Sequence, residues 1–340
     1  MGVATHLDRV QRRHPRASFP LAVIYKFVDD QGSYLSALIA YYGFLSLFPL
    51  LLLFSSVLGF VLRGDPSAQT RLLHSVLSQF PVIGTDLQHP RTLGGHGAGL
   101  VIGIVGSIYG GLGVAQAAQN AMNVAWGVPR NTRPNPLKSR LRSLLLLATV
   151  GLAVLATTVL TALGATAGAF GASLGGGLRI LLGTISVLVN AGVFVAAFRI
   201  ATARSLTTRD VVPGAITAAI SWQLLQLFGA AYVGHVVKHA SATDGVFALV
   251  LGLIAFLYLV AVTVVLSLEI NVVRVKHLYP RAVLTPFTDN VDLTAGDERT
   301  YRDAAKAQRN KGFEQIDVAF HSSDADRSRD DPKETRPSGS

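Results

Sequence analysis

Four carboxamides, Gln116, Gln119, Asn120 and Asn123, fall at positions i, i+3, i+4 and i+7 of an otherwise apolar stretch. On a helix that spacing sets all four on one face. Each amide carries two donors and an acceptor oxygen. Such a face can line a path for a polar substrate, or it can tie neighbouring helices together, and both readings stand. Glu269, in SLEINVVR (Ser267–Arg274), is the lone acid adjoining a long apolar run. It offers a proton or cation site, or an interfacial carboxylate paired with Arg274 or a loop arginine. Gln223 and Gln226 lie beside Trp222, and Tyr41 and Tyr42 precede Pro49 by about two turns. The candidate substrate pathway is therefore Gln116, Gln119, Asn120 and Asn123, with Tyr41, Gln223 and Glu269 in support and Pro49 as a helix kink.

Other chemistry has less to work with. With 0 cysteines, disulfides, thiolate metal sites and cysteine nucleophiles are excluded. His235 and His239 have the i, i+4 spacing of a helical metal pair, but no acidic or third histidine ligand has the spacing of HExxH. They read as surface or interface histidines. GGLG (Gly110–Gly113) lacks the Lys-Ser/Thr of a phosphate loop, and there is no GxSxG and no cluster of carboxylates for two-metal chemistry. No catalytic residue, metal site or cofactor is expected, and the chain does not read as an enzyme.

The elements that position these residues are apolar and long. Half of the chain is hydrophobic (50%), only 15% is charged, and mean hydropathy is +0.43, against about a quarter charged in an ordinary soluble domain. Uncharged runs cover Gln31–Leu62, Thr92–Pro129, Ser143–Leu178, Ile180–Phe198, Val211–Val237 and Gly245–Leu268. Each reaches the roughly 18 residues that span a bilayer. The expected fold is all-α: a polytopic membrane protein of six transmembrane helices, with a short interfacial helix in FPLAVIYKFV (Phe19–Val28). No cleavable signal peptide is expected, because mostly polar residues precede the first run.

Basic residues set the orientation. They gather before the first run (Arg9, Arg12, Arg13, Arg16, Lys26), between the second and third (Arg130, Arg133, Lys138, Arg140, Arg142), between the fourth and fifth (Arg199, Arg204, Arg209), and after the sixth. The third and fifth loops hold only Arg179 and Lys238. By the positive-inside rule both termini are cytoplasmic. The net charge of +10 follows span ends rather than one patch. The expected partner is thus the anionic inner leaflet, with a lipidic or small-molecule substrate and no nucleic acid.

Pro49 sits in the most apolar part of the first run. It cannot donate to the carbonyl near Leu45, and in lipid that carbonyl needs another partner, so a kink there implies a packed or wet surrounding. The second run carries Gly99, Gly103, Ser107, Gly111 and Ala115 every four residues, a ridge suited to close helix contact. Residues 63–97 form the one long outer loop, with a short amphipathic helix in Arg71–Phe80, and Gly168–Gly177 makes an outer hairpin. Three regions result: residues 1–17 disordered in the cytoplasm, 18–280 the membrane domain, and 281–340 a mostly disordered cytoplasmic tail with a helix near Asp297–Gln308.

Several segments together resemble the YihY/BrkB family of bacterial inner-membrane proteins: YYGFLSLFPLLL (Tyr41–Leu52), NVAWGVPR (Asn123–Arg130), PGA (Pro213–Ala215) with Trp222, and LEIN (Leu268–Asn271). The resemblance covers about residues 19–280. Where the family usually shows Tyr-Gly before its last span, this chain has Asp244-Gly245. Where it shows Gly-Ala-Glu-(Ile/Leu)-Asn, this chain has Ser267–Asn271. The resemblance implies a multi-pass protein of the bacterial inner membrane. The activities attached to the family include a ribonuclease label and transport of lipid or envelope material. The expected function is permease-like movement of a small or lipidic envelope-related substrate; the alternative is a non-transporting scaffold that recruits envelope machinery through its tail. A ribonuclease is disfavoured, because no metal ligands or acid–base pair are in view.

Overall fold

The computed structural model describes residues 18–61, 98–169, 176–236, 242–285, 288 and 291–320. The helices among them are α1 (Phe19–Asp29), α2 (Gly32–Val61), α3 (Ala98–Ala125), α4 (Pro136–Ala169), α5 (Gly176–Ala201), α6 (Thr208–Val236), α7 (Ala242–Lys276) and α8 (Ala295–Ala307), with a 3-10 turn at Arg130–Thr132. No strand occurs among the described residues. The amphipathic segment expected at Arg71–Phe80, the disordered stretch expected at 1–17 and most of the Gly168–Gly177 hairpin lie outside the described residues. So does His239.

Among the described residues, three helical segments are long and apolar enough to cross a membrane: Gly183–Ala201, Thr208–Gly229 and Val250–Lys276. Many large apolar side chains on the helices face outward, among them Val101, Val105, Leu152, Leu188, Leu227 and Phe228. Apolar surface on that scale is stable in lipid, not water.

The chain forms two compact units. The larger comprises Phe27–Trp126 and Arg133–Asn271. Its most extensive helix pairing is α2 with α3, and the reason is steric. A Cβ on Gly106 would stand 2.8 Å from the Pro49 ring, one on Gly110 would stand 2.5 Å from Ser46 Cβ and 2.6 Å from its Cα, and one on Gly113 would enter the Tyr42 ring. The pairs Gly113–Tyr42, Gly110–Ser46 and Gly106–Pro49 run in opposite chain directions, so the helices are antiparallel. Close approach of this kind lets dispersion hold helices together where lipid removes the hydrophobic drive. The contact ridge is Gly106, Gly110 and Gly113 rather than the every-fourth series: successive fourth positions drift around a helix of 3.6 residues per turn. Gly111, from the expected ridge, meets Leu147 of α4 instead. Helix α2 continues through Pro49, whose ring rests against Gly106.

The smaller unit comprises Met1–Lys26, Gly127–Thr132 and Val272–Ser340. Its centre is Arg281. Arg281 Nε lies 2.5 Å from Asp297 Oδ1, with both side chains buried, and the guanidinium stands over the rings of Tyr25 and Tyr301. Asp297 also accepts from the amides of Ala282 (3.0 Å) and Thr294 (2.9 Å). Thr294 caps α8 and forms a capping box with Asp297, which satisfies amides that a helix start leaves open. The Tyr25 hydroxyl donates to the Val283 carbonyl at 2.7 Å, and Lys276 pairs with Asp303 at 2.8 Å. Gly127, at φ +60, takes a left-handed conformation, and a Cβ built there would stand 3.2 Å from Lys276 Nζ. Of the tail, residues 281–285, 288 and 291–320 are described, with α8 lying where a helix near Asp297–Gln308 is expected. The tail's charges are not all solvated: Asp297 and Arg281 neutralise each other inside the unit.

Candidate functional site

The site grows from the end of α3 in the larger unit. The burial boundary divides the four amides into pairs. Gln119 is 3% exposed and Asn123 is 5% exposed, whereas Gln116 and Asn120 are exposed.

Gln119 holds the start of α4. That helix begins with Pro136 in its first position, where a missing N–H costs nothing. Asn135 accepts from the Lys138 amide at 2.9 Å as its cap. Two helical positions, Ser139 and Ser143, then face α3. Gln119 Nε2 donates to Ser143 Oγ (2.7 Å) and to the Ser139 carbonyl (3.2 Å), and its Oε1 accepts from Ser139 Oγ (3.2 Å).

Asn123 holds the loop between α5 and α6. Its Oδ1 accepts from the Ala203 amide at 2.8 Å. The loop is fastened at both ends: Thr202 Oγ1 donates to the Phe198 carbonyl (2.7 Å), and Asp210 accepts from the Thr207 amide (2.8 Å), which places a carboxylate at the positive end of α6. Asn120 accepts from Arg133 Nη1 at 3.3 Å.

A second polar node joins α6 and α7. Asn271 Oδ1 accepts from the Gly214 amide (2.7 Å), and its Nδ2 donates to the Val211 carbonyl (3.1 Å). Glu269 is 0% exposed, as are Leu268 and Asn271 on the same helix. PGA and LEIN, far apart in the chain, are thereby one contact.

The expected pathway residues are therefore not a single lane. Among the described residues the hydrogen bonds of Gln119, Asn120 and Asn123 run to Ser139, Ser143, Arg133 and Ala203; none runs to Tyr41, Gln223 or Glu269. Tyr41 faces outward at 60% exposure, edge-on to Tyr42, and Gln223 is half-buried on α6.

Sequence reasoning missed what the two buried amides support. Between α4, the end of α5 and the α5–α6 loop lies a cavity of about 630 Å³ lined by Arg142, Arg199, Arg204 and Ser205 with Leu145 and Leu206. Its arginines are visible in the sequence, but only as markers of the basic side of the membrane. Among the described residues no three of His, Cys, Asp and Glu cluster as metal ligands.

Comparison with known proteins adds the following. A family model, virulence factor BrkB, matches residues 23–288. The ribonuclease-like protein YfkH of Bacillus subtilis (strain 168) is 26% identical over 279 residues, covering 76% of this chain and 96% of that protein. No solved structure matches.

Proposed function

The chain belongs to the BrkB family and is an integral membrane protein, and from that premise we propose that it is a six-span protein of the bacterial inner membrane, both termini cytoplasmic, working as a permease for a small or lipidic envelope-related substrate. The observation that carries this reading is Glu269. Its carboxyl is 0% exposed where the long uncharged run of α7 ends. A carboxyl group in such a place is costly, and acids that persist inside membrane helices serve ion or substrate movement. No ATPase element is present in the sequence, so coupling is to an ion gradient, to a partner, or absent.

The test is flux. Full-length protein is reconstituted in vesicles carrying nitrobenzoxadiazole-labelled phosphatidylglycerol and an internal pH-sensitive dye. Reading label transfer between leaflets by dithionite, and proton entry by the dye, we expect one or both to exceed empty vesicles and to fall at least several-fold in Glu269→Gln. Rates equal to empty vesicles in both readouts would refute the permease.

A scaffold is the second reading, favoured by one observation: residues 291–320 are structured and present Phe313 at 91% exposure. Phe313→Ala would then abolish partner recruitment and leave flux unchanged. The ribonuclease wording attached to the Bacillus relative is the least favoured, and we assign no enzymatic activity.

A further inference from the structure

Arg142 comes from α4, Arg199 from the last turn of α5 and Arg204 from the loop that follows, yet all three line one cavity of about 630 Å³. Each is held from behind. Arg142 Nη1 donates to the Thr202 carbonyl at 3.4 Å. Arg199 donates through Nε to the Leu206 carbonyl (3.1 Å) and through Nη1 to Thr208 Oγ1 (3.4 Å). The Arg204 guanidinium stands 5.8 Å from the centroid of the Trp126 ring. Every partner is a carbonyl, a hydroxyl or a ring; among the described residues no carboxylate neutralises any of the three. A guanidinium has five donors, so most of these remain available.

Three like charges gathered on one concavity repel one another, and an anion seated among them relieves that cost. The planar forks of arginine suit the oxygens of phosphate in particular. The cavity also has an apolar side, formed by Leu145, Ile200 and Leu206. Leu145 is exposed on α4 together with Leu141 and Leu144, at i, i+3 and i+4 on one face. The cavity therefore borders surface suited to lipid. The two amides buried at the end of α3 act as positioning residues: Gln119 fixes Ser139 and Ser143 on either side of Arg142 in sequence, and Asn123 fixes Ala203 beside Arg204.

We infer that the cavity lined by Arg142, Arg199 and Arg204 binds a phosphate oxyanion, carried on the headgroup of an anionic phospholipid. This site stands whether or not the protein transports anything.

The chain has 2 tryptophans, so Trp222→Phe leaves Trp126, beneath Arg204, as the only one. In a neutral detergent at fixed ionic strength, full-length protein with this background is titrated with dihexanoyl phosphatidylglycerol, dihexanoyl phosphatidylcholine and inorganic phosphate, and Trp126 emission is read. Saturation by the phosphatidylglycerol, with half-saturation weakened about tenfold in Arg199→Gln, supports the headgroup; a tenfold effect is one lost charge-assisted contact. Saturation by inorganic phosphate with the same sensitivity supports the oxyanion with free phosphate as its source. Equal responses to phosphatidylcholine and phosphatidylglycerol, or no response to any probe, overturn the inference. If Arg199→Gln does not fold, Arg204→Gln on the exposed loop replaces it. The unsubstituted protein gives a further check, since half-saturation independent of added salt also overturns an ion-paired site. A flux result of either sign leaves these outcomes unaffected.

Discussion

Asn271 holds the backbone of α6 from both directions: it accepts from the Gly214 amide at 2.7 Å and donates to the Val211 carbonyl at 3.1 Å. The clamp falls around Pro213, which has no amide to give its helix. Gly214 is required by the same contact, because a Cβ there would run into the Ser267 carbonyl and the Asn271 side chain. Leu268, bulkier than the small residue of the family pattern, is fully buried in the same helix.

Asn271→Ala removes two hydrogen bonds inside an apolar setting and is expected to cost about 1–3 kcal/mol. Gly214→Ala meets a backbone carbonyl, which cannot rotate away, and is expected to cost at least as much. Thermal unfolding of detergent-solubilised protein checks both. A melting temperature unchanged in Gly214→Ala would show that the two helices are not so close.

The α2–α3 contact predicts a contrast between glycines. Gly110→Ala puts a methyl 2.6 Å from the Ser46 Cα, and overpacking against backbone costs about 1–3 kcal/mol. Gly151→Ala on α4 meets nothing within 4 Å and should stabilise by up to about 1 kcal/mol through helix propensity. Opposite shifts in the midpoint of unfolding are the expected result.

The long helices were legible because lipid demands uncharged runs of sufficient length, and nothing else in the chain resembles them. The amide spacing was legible too, but spacing alone does not say where burial begins. Gln119 and Asn123 turned inward to Ser143 and Ala203 while Gln116 and Asn120 stayed outside, and that boundary depends on where α4 and the α5–α6 loop lie. The glycine ridge was found one register away from its contact for a related reason: which side of α3 faces α2 is decided by Tyr42, Ser46 and Pro49. Alternating charge in the tail resembled a solvated segment, since a pair such as Arg281 and Asp297 leaves no local pattern. The arginine cavity collects its charges from positions 142, 199 and 204, which no linear motif links.

In the smaller unit, Arg281 and Asp297 are both buried, 2.5 Å apart. Removing one partner strands the other charge, which costs about 3–5 kcal/mol. Asp297→Ala is therefore expected to open this unit, exposing residues near Arg299 and Arg302 to trypsin at concentrations that leave the parent chain intact. Asp303→Ala is the comparison. Its pair with Lys276 is partly exposed, so its loss should cost no more than about 1 kcal/mol and leave the digestion pattern unchanged.

Glu314 supplies a pH-dependent turn. Its carboxylate accepts from the Asn310 amide at 2.6 Å and the Lys311 amide at 3.1 Å. These bonds favour the ionised form and hold its pKa below the ordinary 4.5, with the Arg309 charge assisting. A carboxyl depressed in the folded state stabilises that state while ionised: the contribution is complete above the ordinary carboxylate range and is lost as pH falls through the lowered value. Amide exchange at Asn310 and Lys311 is accordingly expected to be slow and steady from neutral pH down to the ordinary carboxylate range, once corrected for intrinsic rates, and to quicken below it. Glu314→Gln should show the faster exchange at every pH, with no acid transition. A transition centred at or above the ordinary value in the parent chain would mean that the two amides do not hold the carboxylate.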